Sequence, residues 1–284
     1  MQHMTIDLNA AIPAPADEAR FAFGANWARF LGTVDDRRIT EAERSLVGYL
    51  GEQGTREQDV LDLGSGSGLF SLAACRLGAR RLVSVDFDPQ SVACTTELRR
   101  RFGPAGADWT IARADATDAD EMAALGQFDL VYSWGVLHHT GRLWDAMGLA
   151  CAAVRPSGRL FISIYNDQGY KSRMWLGVKR RYNRTPERLR PLYVALAMAP
   201  RELAFFVLGL RGRPLSYYRV WKNYAENRGM SRWHDLVDWT GGLPFEVAHP
   251  DEVFDFCRQR GFTLERLTTT GGGLGCNQFV FRRD

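Results

Sequence analysis

The densest chemical signal in the chain is Asp62-Leu63-Gly64-Ser65-Gly66-Ser67-Gly68. Glycines at alternate positions let a backbone turn tightly and approach a ligand with no Cβ in the way. The run DVLDL leads into this loop and LFSLAACRLGA follows it, so the loop joins a strand to a helix whose first N–H groups lack partners. A dinucleotide-binding loop would read G-x-G-x-x-G, but Leu69 stands where its last glycine is needed, and the GK[ST] of a phosphate loop is absent. Two readings remain: a purely structural turn, or a site for a nucleoside cofactor without a pyrophosphate. Asp62 favours the second, because a carboxylate opposes a pyrophosphate and suits an ammonium or sulfonium.

Further reactive residues follow at other strand ends. His138 and His139 come after the apolar run FDLVYSW. Imidazole titrates near neutral pH, so either is a candidate general base. The plainer reading has one facing solvent and the other supporting the loop. Adjacent side chains seldom face the same way, so at most one is expected to act. No third ligand stands at suitable spacing, so no metal is expected. Tyr165 and Asn166 end another apolar run; Tyr165 is either an acceptor contact or an aromatic at the core edge. Asn277 begins the last strand, where an amide could orient a substrate or satisfy the strand end.

These residues need a scaffold of alternating elements. DVLDL, RLVSVDF, WTIARAD, FDLVYSW and RLFISIYN read as five strands. Helices are expected between them: after the glycine loop, from Pro89 to about Arg101, near 118–125, and from Leu143 to Val154, where Pro156–Gly158 ends it. Upstream, Phe21–Leu31 is a short helix or lid, and Thr40 precedes a helix over EAERSLVGYLG. A late helix opens at Pro250, and FTLERLT and CNQFVFRR close the chain around a GGGLG loop. So short a loop demands an antiparallel pair. The expected fold is a doubly wound α/β architecture: a mainly parallel seven-stranded sheet, a closing antiparallel hairpin and an inserted helical cap. The expected divisions are an N-terminal arm and helices (1–54), a core (55–165), a basic cap (166–249), and a closing helix and hairpin (250–284).

The composition, 45% hydrophobic and 24% charged, excludes global disorder and fibrous repeats. The five cysteines are odd in number and form no CxxC pair, which argues against a disulfide scaffold and for a reducing compartment. No targeting segment is visible, so a cytoplasmic location is expected. The net charge of +3 hides a division. Residues 170–232 carry 15 Lys and Arg against 3 Asp and Glu, a balance of +12; the rest carry 21 against 30, a balance of −9. Such asymmetry points to an anionic partner, a membrane surface or a separate subdomain. Pro191–Leu210 is apolar but broken by Pro200, Arg201 and Glu202, which argues against a membrane span and leaves an interfacial role open. Basic clusters at 173–184 and 217–224 are solvated Arg on a cap, a site for an anionic small molecule, or a peripheral membrane contact; nucleic acid is disfavoured because no RNA-binding module is present.

Taken in order, VLDLGSGSGLFSL, VSVDFDPQSV, ARADATD and FDLVYSWGVLHHT resemble the motifs of class I S-adenosylmethionine-dependent methyltransferases. The resemblance covers roughly residues 55–165 and the closing hairpin, and in this half it is similar to quinone-biosynthesis methylases. It implies S-adenosylmethionine as cofactor, held by Asp62, Gly64, Ser65, Gly66, Gly68, Asp86, Phe87, Asp115, Ala116, Ser133 and Trp134. Asp86 would bind the ribose hydroxyls, and Asp115 with Ala116 the adenine. The N-terminal segment with Asn26 and Trp27 would fold over the cofactor. His138, His139 and Tyr165 are then the catalytic candidates, and Trp27, Asn166 and Asn277 the substrate-binding ones. The expected reaction is methyl transfer to a hydroxyl of a small-molecule acceptor chosen by the cap. The alternatives are a lipid-linked, glycan or quinone-like acceptor at a membrane surface, or a nucleoside-binding protein without catalysis. The cap and WTGGLPFEVA depart from the quinone enzymes, and a dehydrogenase is the next alternative.

Overall fold

A computed structural model describes residues 21–212, 224, 229–271 and 275–284. The arm at 1–20, most of the second basic cluster and Gly272–Leu274 of the glycine-rich loop lie outside the described residues.

Two helices precede the sheet: α1 (Phe23–Leu31) and α2 (Asp36–Leu50). The second starts five residues earlier than Thr40 suggests, because the Asp35 carboxylate accepts from the Arg38 amide and caps it there. The alternation then runs β1 (Asp59–Leu63), α3 (Leu69–Arg76), β2 (Arg81–Asp86), α4 (Pro89–Phe102), β3 (Trp109–Arg113), α5 (Ala119–Leu125), β4 (Phe128–Trp134), α6 (Leu143–Ala152) and β5 (Val154–Tyr165). Pro156–Gly158 does not end α6. It lies in the irregular start of β5, where Val154 already pairs with Phe128 and Ser157 takes a positive φ. Helices α7 (Tyr170–Arg184), α8 (Arg190–Gly212) and α9 (Arg232–Gly241) stand between β5 and α10 (Pro250–Arg258), and β6 (Phe262–Thr268) and β7 (Cys276–Arg283) close the chain.

The seven strands run β3-β2-β1-β4-β5-β7-β6, with β7 antiparallel to both neighbours and the other contacts parallel. Successive strands step outward in opposite directions from β1 and β4, so a crevice opens at their carboxyl ends. The glycine loop and the His pair flank that crevice. Alternation along the strands serves two apolar layers. Leu61, Leu63, Val83, Val85, Val131 and Ile162 meet α5, α6 and α10, while Val60, Leu82, Leu130 and Phe161 meet α2, α3 and α4. A third cluster, Phe21 with Trp175, Tyr182, Val194, Met198, Leu236 and Val237, ties α7, α8 and α9 together. No described helix is long and apolar enough to cross a membrane.

The opposite edge of the sheet is held by charge. The buried Asp59 carboxylate receives Arg80 and Arg155 at 2.9 Å and Arg81 at 3.3 Å, and Arg155 also reaches Asp129. Burial pushes the Asp59 carboxyl upward, but the bonds from Arg80 and Arg155 outweigh it and hold the carboxyl below its usual range. A carboxyl lowered on folding stabilises above its unfolded pKa and loses that contribution as pH falls through the folded value. Asp59→Asn is therefore expected to cost about 1–3 kcal/mol at neutral pH in urea unfolding. The gap to wild type should close below about pH 4.

Candidate active site at the carboxyl edge of the sheet

The glycine loop takes its shape from the residues around it. The Gly64 and Ser65 amides donate to the Val85 carbonyl, and the Gly66 amide donates to Asp86 Oδ2 at 2.9 Å. Gly64 has φ +87°, and a Cβ there would run into Val136. At Gly66, with φ +56°, a Cβ would lie 2.9 Å from Trp27 Nε1, so the indole lies directly on the loop. The other Asp86 oxygen accepts from the Asp88 amide at 2.9 Å.

Asp62 lies beneath the loop, 3% exposed. Its carboxylate accepts from Ser71, Ser71 accepts from Ser84 at 2.8 Å, and Ser84 accepts from Trp109 Nε1 at 2.8 Å. An indole N–H can only donate, so the chain of hydrogen bonds has one direction and ends on the acid. Burial raises the Asp62 carboxyl to about 7 against the Ser71 bond, with the Asp86 charge adding to the rise. Burial likewise raises Asp86 to about 6, opposed by the amides of Asp88 and Gly66. Two acids held partly protonated around a cradle of glycines suit a cationic ligand, whose charge favours their ionised forms.

The remaining candidates for this pocket divide. Asp115 sits at the end of β3 with Oδ1 accepting from the Thr117 amide and hydroxyl, beside buried Ala116. Phe87 is exposed under the Arg113 guanidinium. Ser65 bonds Thr95 behind the loop. Ser133 is fully buried and donates to the Leu63 carbonyl, tying β4 to β1. Trp134 donates to Gln278 at 2.9 Å and packs in the α2–α3 layer. Ser133 and Trp134 are thereby engaged within the sheet.

Residues 60–158 match a family model described as "Methyltransferase domain". They are a methyltransferase domain. The glycine cradle with two buried acids fits S-adenosylmethionine, a sulfonium nucleoside. A ribosomal protein L11 methyltransferase of Citrifermentans bemidjiense is 36% identical over 104 residues, 37% of this chain and 31% of that protein. Another from Xanthomonas campestris pv. campestris is 33% identical over 123 residues, 42% of this chain and 36% of that protein. The matched region thus spans about a third of those relatives. Among solved structures, the fold is similar to magnesium protoporphyrin IX methyltransferase from Synechocystis PCC 6803 with bound SAH (TM-score 0.54, 14% identity, 92% of this chain and 94% of that one). It is also similar to an O-methyltransferase family protein from Burkholderia thailandensis (TM-score 0.54, 16% identity, 95% and 65%).

Beside the methyltransferase domain's crevice, the His pair sits on one turn of 3-10 helix, Leu137–His139. The tight turn brings both rings toward Tyr165, with centroids 3.9 Å (His138) and 5.4 Å (His139) from it. Adjacency therefore did not send them to opposite sides. Their surroundings differ. His138 is fully buried; Nδ1 accepts from the Tyr165 amide at 3.4 Å and Nε2 has no partner. His139 is partly exposed and its Nδ1 donates to the Pro244 carbonyl at 2.6 Å. That bond fixes the tautomer and leaves the lone pair on Nε2. Burial, then the Lys179 charge, pushes the His139 imidazole down to about 3, so the ring is neutral across ordinary pH.

Helix α1 joins this pair to the cofactor loop. Phe23 packs on His139 at 4.8 Å between centroids, and Trp27, four residues on, lies over Gly66. Residues at i and i+4 share a helix face about one turn apart, roughly 5.4 Å. Asn26 is turned away: its amide donates to the His234 carbonyl and to Asp238 at 2.8 Å, locking α1 to α9. Tyr165 is walled by Trp239 and Phe245. Lys179 of α7, 2% exposed, donates to the Trp239 carbonyl at 2.6 Å with its ammonium 4.8 Å from the Phe245 ring. Burial lowers that ammonium to about 7, with Asp238 opposing.

Asn166 and Asn277 lie apart from this chamber. Asn277 is buried and its amide donates to Asn166, while its oxygen accepts from the Thr270 amide. Asn166 also donates toward Gly271. The two amides brace the β6–β7 loop and border a groove of about 510 Å³ with Tyr170, Lys171 and His249. Lys179, Pro244, Phe245 and Ser71 join the site without having been singled out as site residues. Lys179 stands four residues after Trp175 in a basic run, and that spacing on one helix face was the available signal.

Proposed function

We propose that the chain O-methylates a small hydroxylated acceptor held between the His139–Tyr165 chamber and the glycine loop. One observation carries this reading. The neutral His139 ring is anchored through Nδ1–H to Pro244, which leaves the lone pair on Nε2, and Phe23, which packs on that ring, shares α1 with Trp27, which covers the glycine loop. S-adenosylmethionine, when bound, supplies a methyl group on a sulfonium. Asp62, Asp86 and the glycine loop would hold the nucleoside end, and Asp115 the base. His139 Nε2 would take the proton as the acceptor hydroxyl is alkylated. Phe23, Tyr165 and Phe245 would hold a flat acceptor and exclude water, which aligns the displacement. His138 would position Tyr165 rather than move a proton, since it is fully buried against that residue.

The acceptors named for similar proteins are not carried over, because the sequence matches lie in the cofactor half. The test is incubation with methyl-13C S-adenosylmethionine and a metabolite extract, followed by carbon NMR of the labelled product. A methoxyl resonance is expected. An N-methyl, S-methyl or C-methyl resonance, or no labelled product from an extract rich in phenols and hydroxy acids, would refute the O-methyl assignment.

A further inference from the structure

Helix α8 has its polarity inverted. Its two mid-helix charges, Arg201 and Glu202, face the protein: Glu202 accepts from Arg232 of α9 at 2.6 and 2.8 Å, and the Arg201 guanidinium lies 5.3 Å from the Trp239 ring. Val194 and Met198 fill the cap cluster on the same side. The outer face is apolar. Leu192 (58% exposed), Leu196 (65%), Ala199, Leu203 (61%) and Phe206 (41%) recur at spacings of 4, 3, 4 and 3, one continuous stripe, with Phe205 and Val207 beside it. Extended back to Leu189, the stripe is roughly 25 Å long. A solvated helix carries its charges outward, so such a face marks an interaction surface.

The neighbouring α7 shows what kind. Its buried face holds Trp175, Lys179 and Tyr182, and its outer face carries Tyr170 and Met174 among exposed Lys171, Arg173, Arg181 and Arg184. Aromatic and apolar side chains interleaved with cations, on a segment balanced at +12, complement an anionic headgroup layer over hydrocarbon. A two-fold dimer through this face would press one basic cap against another. Head-to-tail contact lacks an apolar counterpart: outside 170–207 the exposed large hydrophobics among the described residues are Phe87, Trp233 and Leu267, on three separate elements. We infer that the outer faces of α7 and α8 dock on an anionic lipid bilayer, with the α8 stripe lying in the interface and the α7 cations on the headgroups. This surface is independent of the methyl-transfer chemistry.

The test is co-sedimentation of the full chain with vesicles of phosphatidylcholine alone or mixed with phosphatidylglycerol, at low and high salt. Binding to the mixed vesicles is expected, weakened by salt and by removing phosphatidylglycerol. The Leu196→Glu/Leu203→Glu variant should lose at least about tenfold in vesicle affinity, and Arg181→Glu/Arg184→Glu should lose the salt-sensitive part. Calorimetric titration with S-adenosylmethionine on the same preparations should be unchanged, which reports the fold separately. Failure of the wild-type chain to pellet with mixed vesicles at low salt overturns the inference. So does unchanged binding of the leucine variant, or self-association in sedimentation velocity that this variant abolishes, since the face would then belong to a second copy.

Discussion

Asp86→Ala is expected to weaken S-adenosylmethionine binding about 30- to 150-fold, the equivalent of about 2–3 kcal/mol for two lost charge-assisted hydrogen bonds. Each Asp86 oxygen already holds one backbone amide, Gly66 or Asp88. Each retains a second lone pair, and a pair of ribose hydroxyls matches that remaining capacity. The substitution removes the cofactor's acceptors and also frees the Gly66 amide that shapes the loop. Isothermal titration with S-adenosylmethionine and its demethylated product reads the change. An unchanged affinity for both would sink the ribose role.

The same carboxyl sets a pH dependence with a definite sign. Asp86 is raised to about 6 and Asp62 to about 7, chiefly by burial. An acid raised above its unfolded value binds more protons folded than unfolded. Without added cofactor the protein therefore loses stability as pH climbs through that range. The ligand's hydroxyls and positive charge favour the ionised acids, so binding releases protons and affinity rises with pH up to about 7. The cofactor-induced increase in Tm should be larger at pH 7.5 than at pH 5.5. Asp86→Ala should flatten only part of that difference, because Asp62 still titrates.

The cofactor half was legible because its signals are local. Gly64, Gly66 and Gly68 announce a turn wherever they stand between a strand and a helix. Asp86 is identified by its position at the next strand end. The closing hairpin followed from loop length alone. The acceptor half was less legible because its residues converge from distant segments. Lys179 reads as one of five cations in the 173–184 cluster until Trp175 and Tyr182 show that its helix face turns inward. Pro244 carries no side-chain chemistry; it matters through a carbonyl that fixes the His139 tautomer. The boundary misread at α2 had a simple cause, since Asp35 and Thr40 are both competent caps and only packing selects between them. The facing of the His pair, not the expectation that at most one acts, was misjudged for a related reason. Opposite facing is a rule for extended chain, and the 3-10 turn at Leu137–His139 suspends it.

His139→Ala should lower kcat by about 10²–10⁴, the usual contribution of a positioned base, with cofactor affinity unchanged. The low proton affinity of this imidazole, about 3, does not disqualify it. A hydroxyl oxygen that has given its lone pair to a methyl carbon becomes strongly acidic, so a weak base placed beside it is sufficient. What the site requires is a ring that stays neutral and correctly oriented, and burial with the Lys179 charge secures the first while Pro244 secures the second. The rate should therefore show no acid limb from His139 between pH 5 and 8; any limb near 6 should follow cofactor affinity and move with Asp86. Lys179→Met removes the neighbouring charge and should raise the His139 pKa, visible as an upward shift of its imidazole titration by NMR. His138→Asn should lower stability through Tyr165, with turnover falling only in step with folded protein. Full turnover by His139→Ala would leave methyl transfer intact and remove the base from the mechanism.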